Sequence, residues 1–315
     1  MFRSRLRPAS IRTVSANASP SPRLAALGIG AIRNTVPAVP VRCLQTVPTL
    51  DFKDGVPGLL SKKGFDLAYT EYQRMQVDRL NSFISGTGLE DTFPKQLLIM
   101  FSRDVDKAPL FNAASMSHNN HFFFSTIAKL PTRSEDSGVP EPSQQVVPIP
   151  IRPSFQMVIE NNFSSVETFR QYFLDTALAM FGPGFVWLVK TSSGQLKIVC
   201  TYLAGSPYSK AHHKKQSVDT NTIPYNHQDA AEIFERSKNP RNHPAGDAAD
   251  ITPILCLNTW EHVWLPDYGM YNPEDPIPSG KERYVYNWWN VVNWDKVADN
   301  WDSSLGHVAN ELYRR

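Results

Sequence analysis

Between residues 55 and 86, apolar side chains recur every three or four positions: Leu59, Leu60, Phe65, Leu67, Ala68, Tyr72, Met75, Val77, Leu80 and Phe83. That spacing puts them on one face of a helix, so the stretch predicts one long helical region. Residues 95–130 repeat the pattern and predict a second, turned near Pro109 and Asn112. The stretch 131–155 is polar and dense in proline, which predicts an extended linker. Residues 164–181 predict an amphipathic helix capped by Ser164 and Ser165, and Gly182-Pro183-Gly184 ends it. Phe185–Lys190 and Leu196–Leu203 predict two strands joined through Ser192-Ser193-Gly194. Residues 251–257 (ITPILCL) predict a third strand, and an aromatic-rich helix is expected from about Glu282 onward. Between them, residues 207–250 are polar with little apolar periodicity and read as a surface insertion. Helices come first, then a small sheet with helices, an α+β layout in two parts.

Charge changes the picture at the N-terminus. Residues 1–44 hold seven arginines (Arg3, Arg5, Arg7, Arg12, Arg23, Arg33, Arg42), no lysine and no acid. An Arg-, Ser- and Ala-rich, acid-free start predicts a mitochondrial transit peptide over 1–44. Arg42-Cys43-Leu44 resembles a matrix-protease pattern that would make Gln45 the first mature residue. The formal charge of the whole chain is +2. Without those seven arginines, 25 basic side chains face 30 acidic ones. The body is therefore not a bulk basic nucleic-acid binder. Cys43, Cys200 and Cys256 show neither a disulfide framework nor zinc spacing, and the last two read as ordinary buried thiols. No apolar run approaches the ~20 residues of a membrane span.

Two segments carry specific chemistry. Asn258-Thr259-Trp260-Glu261-His262 follows a short apolar strand, and Trp289-Asn290-Val291-Val292-Asn293-Trp294 comes about 27 residues later. Phe111-Asn112 leads to His118-Asn119-Asn120-His121, and Phe181-Gly182-Pro183-Gly184-Phe185-Val186-Trp187-Leu188 opens the predicted hairpin. Together these resemble the iron/manganese superoxide dismutases across roughly residues 56–297, apart from the two insertions. The resemblance implies an α+β fold: an N-terminal helical hairpin (45–130), a Pro-rich linker (131–155), and a C-terminal α/β domain (156–315). That last domain would carry a small three-stranded antiparallel sheet and the polar insertion 207–250.

That family holds its metal with three histidines and one aspartate. Carried over position by position, two histidines match His121 and His262. The aspartate position holds Asn258, and the first histidine falls at Ala68. The family's first-helix tyrosine aligns with Gln76, and the glutamine of its manganese enzymes falls near Gly205. A neutral amide is a poorer ligand than a carboxylate for a hard cation, and outer-sphere losses compound the defect. The resemblance therefore implies no metal, no cofactor and no catalytic residue, with His121, Asn258 and His262 as relic positions. His212-His213 beside Lys214-Lys215 reads as a solvated loop, and His227 and His243 show no ligand spacing.

In the active family the glutamate of Trp-Glu-His bridges to the metal-ligand histidine of a second subunit. Glu261 and His262 keep that pair, which implies a dimer-type contact with itself or a paralogue. A metal-less dismutase-like chain with a transit peptide resembles the superoxide-dismutase-like proteins of the mitochondrial small ribosomal subunit, best known from fungi. This implies a structural, matrix-located subunit supporting mitochondrial translation, with ribosomal proteins as partners. Lys210, Lys214 and Lys215 are candidates for ribosomal RNA phosphate contacts. The C-terminal aromatics read as core, with Trp288 the exception, since its family neighbour is usually not Trp. A divergent mitochondrial superoxide dismutase and a free assembly factor of the same ancestry stay open as alternatives.

Overall fold

The computed structural model describes residues 44–130, 146–191, 193–208, 211 and 251–312. Residues 1–43 of the predicted leader 1–44, linker residues 131–145, Ser192 and residues 209–210, 212–250 and 313–315 lie outside the described residues.

The N-terminal part is a helical hairpin. Its first arm runs without a break through α1 (Lys62–Phe65), a π-helical turn (Asp66–Glu71) and α2 (Tyr72–Ile84). The predicted helix starts seven residues late. Residues 55–61 instead form a tight turn with Gly55 at φ +104° and Gly58 at φ +75°, closed by a bridge between Val56 and Leu60. Val56, Leu59 and Leu60 are buried from that turn, so their apolar spacing imitates a helix. Ser61 caps α1, its Oγ accepting from the Gly64 N–H at 3.0 Å.

The second arm is α3 (Pro94–Phe101), a 3-10 turn (Val105–Lys107) and α4 (Ala108–Ser125). The break falls at 102–107, not near Pro109 and Asn112. Pro109 occupies the first turn of α4, where its missing N–H costs nothing. Asn112 is simply helical.

Two helices follow, α5 (Pro153–Phe163) and α6 (Val166–Ala179). Pro153 begins α5, inside the stretch read as linker. Ser165 alone caps α6, while Ser164 turns the chain at φ +70°. The sheet comprises β1 (Gly184–Thr191), β2 (Leu196–Tyr202) and β3 (Ile251–Asn258), antiparallel in the order β2-β1-β3. The central strand is buried at every position, as its unbroken apolar run requires. Gly184 begins it because a Cβ there would lie 2.2 Å from the Thr201 carbonyl oxygen.

After β3 come α7 (Glu261–Tyr268), α8 (Gly280–Asn290) and α9 (Trp294–Leu312). The single closing helix expected from Glu282 is therefore two helices. The break is functional packing: Ala128 N–H donates to Val291 O and Asn293 N–H to Thr126 O. The Trp-Asn-Val-Val-Asn-Trp segment thus stitches the end of α4 to the α/β domain. Trp288 is fully buried and stacks on Phe173 at 5.3 Å, so it belongs to the core and not to a ligand surface.

One continuous apolar core runs from the first helical arm through the sheet to α9. A smaller one lies between α2, α3 and α4, and Tyr208 and Ala211 close it. The root of the polar insertion is therefore packed rather than solvated. Among the described residues no helix is long and apolar enough to cross a membrane. Cys200 and Cys256 are free thiols whose pKa burial pushes up.

Candidate functional site

Of the predicted relic positions, Ala68 and Asn258 are linked through Asn120 where the hairpin meets the sheet, while His121 and His262 face other partners. The π-helical turn carries Ala68, α4 carries His121, the end of β3 carries Asn258 and the first turn of α7 carries His262. Ala68 and Asn258 are fully buried.

Asn258 belongs to a chain of side-chain amides. Its Nδ2 donates to Asn120 Oδ1 at 3.1 Å. Asn120 Nδ2 donates to the Ala68 carbonyl at 3.2 Å and to Gln73 Oε1 at 3.1 Å. Gln73 Nε2 donates to the Ser117 carbonyl at 2.8 Å and to Ser117 Oγ at 3.2 Å. At the other end, Asn258 Oδ1 accepts from the Trp260 N–H at 2.9 Å. Gln73, Ser117, Asn120 and Asn258 are all buried, so the hydrogen bonds offset an otherwise costly desolvation.

The two histidines are engaged elsewhere. His121 Nδ1 lies 2.9 Å from Tyr69 Oη, and Tyr69 Oη donates to the Pro48 carbonyl at 2.7 Å. That carbonyl can only accept, so the hydroxyl proton is committed to it and His121 carries its proton on Nδ1. Burial lowers the His121 pKa. His262 stacks on Tyr72, ring centroids 3.9 Å apart and planes 18° off parallel. Burial pushes its pKa down to about 4, so it is neutral at pH 7. Its Nε2 and the nearby Trp260 Nε1 are buried without a hydrogen-bond partner among the described residues. Glu261, half-exposed between them, opens α7.

The outer-sphere positions also have other occupations. Gln76 is buried beside the Tyr72 hydroxyl. Gly205 has no room for a side chain, because a Cβ would come 2.9 Å from the Tyr202 carbonyl. Its own carbonyl accepts from Asn119 Nδ2 at 2.9 Å. Ser115 Oγ donates to Ala204 O at 2.6 Å, and His118 Nε2 sits 2.7 Å from Tyr208 Oη. Ser115, His118 and Asn119, within about one turn of α4, thus hold the root of the insertion. Burial pushes the His118 pKa down to about 3, with further lowering from Lys95 and His121.

Gln73, Ser117 and Asn120 were not legible as site residues from periodicity alone. The signal was a buried polar position on an apolar helix face (Gln73) and the Asn-Asn pair before His121. Lys210, Lys214 and Lys215 lie outside the described residues. Among the described residues no three His, Cys, Asp or Glu side chains group as a metal site.

Residues 152–221 and 221–300 match the family described as iron/manganese superoxide dismutases, C-terminal domain. Small ribosomal subunit protein mS43 of Schizosaccharomyces pombe is 28% identical over 262 residues, 83% of this chain and 85% of that protein. The superoxide dismutase [Fe] of Escherichia coli K12 is 25% identical over 255 residues, 81% of this chain and 96% of the enzyme. Small ribosomal subunit protein mS42 of S. pombe is 24% identical over 214 residues, 67% of this chain and 74% of that protein. The chain is thus superoxide-dismutase-like, and residues 152–300 match the iron/manganese superoxide dismutase C-terminal domain.

Proposed function

We propose that this chain is a non-catalytic structural subunit of the small subunit of the mitochondrial ribosome, located in the matrix and supporting mitochondrial translation. The observation that carries the non-catalytic part is Asn258. Its oxygen is committed to the Trp260 N–H and its nitrogen to Asn120. Ala68 offers a methyl group and no donor. Two histidines beside a hydrogen-bonded amide and a methyl group supply neither the anionic oxygen nor the full set of donors that iron or manganese takes. The ribosomal part is supported by the similarity to two small ribosomal subunit proteins. The compartment is supported by the acid-free, arginine-rich leader.

The partners are ribosomal proteins, among them a paralogue of the same fold docked at Glu261 and His262. The partial exposure of Glu261 and His262 in the first turn of α7 supports that contact. Lys210, Lys214 and Lys215 would touch ribosomal RNA phosphates. A second reading, a divergent dismutase, draws on the 96% coverage of the E. coli enzyme. The two readings separate on a sucrose gradient of mitochondrial lysate at moderate salt. The structural reading expects the chain at stoichiometry with small-subunit markers. Recovery in the light fractions alone would contradict it.

A further inference from the structure

The amide chain at the domain junction has a direction, and both ends fix it. At one end the Ser117 carbonyl can only accept, so Gln73 must present Nε2 to it and Oε1 to Asn120. The Ala68 carbonyl likewise demands Asn120 Nδ2. Asn120 Oδ1 is then the atom left facing Asn258, and it needs a donor. At the other end the Trp260 N–H can only donate, so Asn258 turns Oδ1 to it and Nδ2 to Asn120. No amide can flip without setting acceptor against acceptor.

We propose that this one-way chain, Asn258 to Asn120 to Gln73 to Ser117, is an ion-free brace tying the helical hairpin to the sheet. It links α2, α4 and β3, where the continuous core crosses from one part to the other. Both protons of Asn120 Nδ2 and both of Gln73 Nε2 are used. Satisfied buried networks specify a single arrangement, whereas a half-satisfied one is worse than an apolar core. The brace therefore selects asparagine at position 258 for its donor. An aspartate, the isostere that the dismutase resemblance puts at this position, would press an oxygen against Asn120 Oδ1. The inference rests on hydrogen-bond direction and stands or falls separately from the ribosomal reading.

The test is urea unfolding of the full chain at pH 8 with chelator present, for wild type, Asn258→Ala and Asn258→Asp. Asn258→Ala leaves the Asn120 Oδ1 acceptor and the Trp260 N–H donor unpaired, while Asn258→Asp keeps the Trp260 bond but sets a buried charged oxygen against Asn120 Oδ1. Both midpoints should fall, Asn258→Asp further, by roughly 0.5–1 M below wild type. An Asn258→Asp chain that does not fold is the extreme of the same result, and the wild-type arm then decides. Manganese(II) in excess should leave the wild-type midpoint unchanged and should not restore Asn258→Asp. An Asn258→Asp midpoint at or above that of Asn258→Ala would overturn the proposal. So would a manganese-dependent rise in the wild type that Asn258→Ala abolishes.

Discussion

The amide pocket and the rim beside it are built from neighbouring residues and end in opposite states. In the pocket, Gln73, Ser117, Asn120 and Asn258 satisfy one another and three backbone groups. At the rim, Trp260 and His262, two and four residues beyond Asn258, bury ring nitrogens with no partner among the described residues. A closed network has nothing left to offer a ligand. The open one leaves buried ring nitrogens without a partner among the described residues, on side chains that are partly exposed elsewhere. The comparison teaches that neighbouring positions on one scaffold can be closed by mutual hydrogen bonds or left with a buried ring nitrogen unpaired, depending on what the next helix presents to them.

The largest effect should come from attacking the pocket. Asn120→Asp sets a buried carboxylate against the Ala68 carbonyl and Gln73 Oε1. It should cost about 3–5 kcal/mol in denaturant unfolding, the range for an uncompensated buried charge. A loss under about 1 kcal/mol would mean the pocket is more open than the hydrogen bonds imply.

Next comes the clamp on α4. His118, with a folded pKa of about 3 against an ordinary 6.5, is held neutral by burial. The unfolded chain binds its proton first as pH falls. The clamp's contribution is therefore complete above about 6.5 and lost as pH drops from there toward 3. The slope is up to about 1.4 kcal/mol per pH unit. His118→Asn should flatten the dependence of melting temperature between pH 6.5 and 4.5, and an unchanged slope would reassign it to other groups.

Rim changes should be smaller in the isolated chain. His262→Ala removes the stack on Tyr72 and should cost about 0.5–1.5 kcal/mol. Glu261→Ala, at a half-exposed position, should stay within about 0.5 kcal/mol of wild type. Both should nonetheless shift the chain out of the small-subunit fraction of a gradient. Stability loss without that shift would break the contrast between pocket and rim.

Much of this was legible in the sequence, for identifiable reasons. The strand run 251–257 and the hairpin around Gly194 follow from apolar runs and turn residues, and the sheet forms there. The motifs placed Asn258, His121 and His262 in three elements that do converge. Residues 55–61 misread as helix because a turn that buries Val56, Leu59 and Leu60 has the same spacing. The late break at 291–293 was hidden because it depends on pairing with residues 126–128, far away in the chain. Gln73 is harder to read for a similar reason: a glutamine on an apolar face marks a polar position, but its role is set by partners from α4 far away in the chain. At Tyr208 the polar neighbours in sequence signal solvent, whereas in space the residue closes the smaller apolar core and bonds His118.

The central claim is that the dismutase-like interior has been given over to structure. The direct measurement is iron and manganese content of the chain purified from mitochondria, alongside superoxide consumption by the same sample. The account predicts far less than one ion per chain and no consumption above background. About one iron or manganese per chain, held through dialysis and accompanied by superoxide consumption, would contradict it.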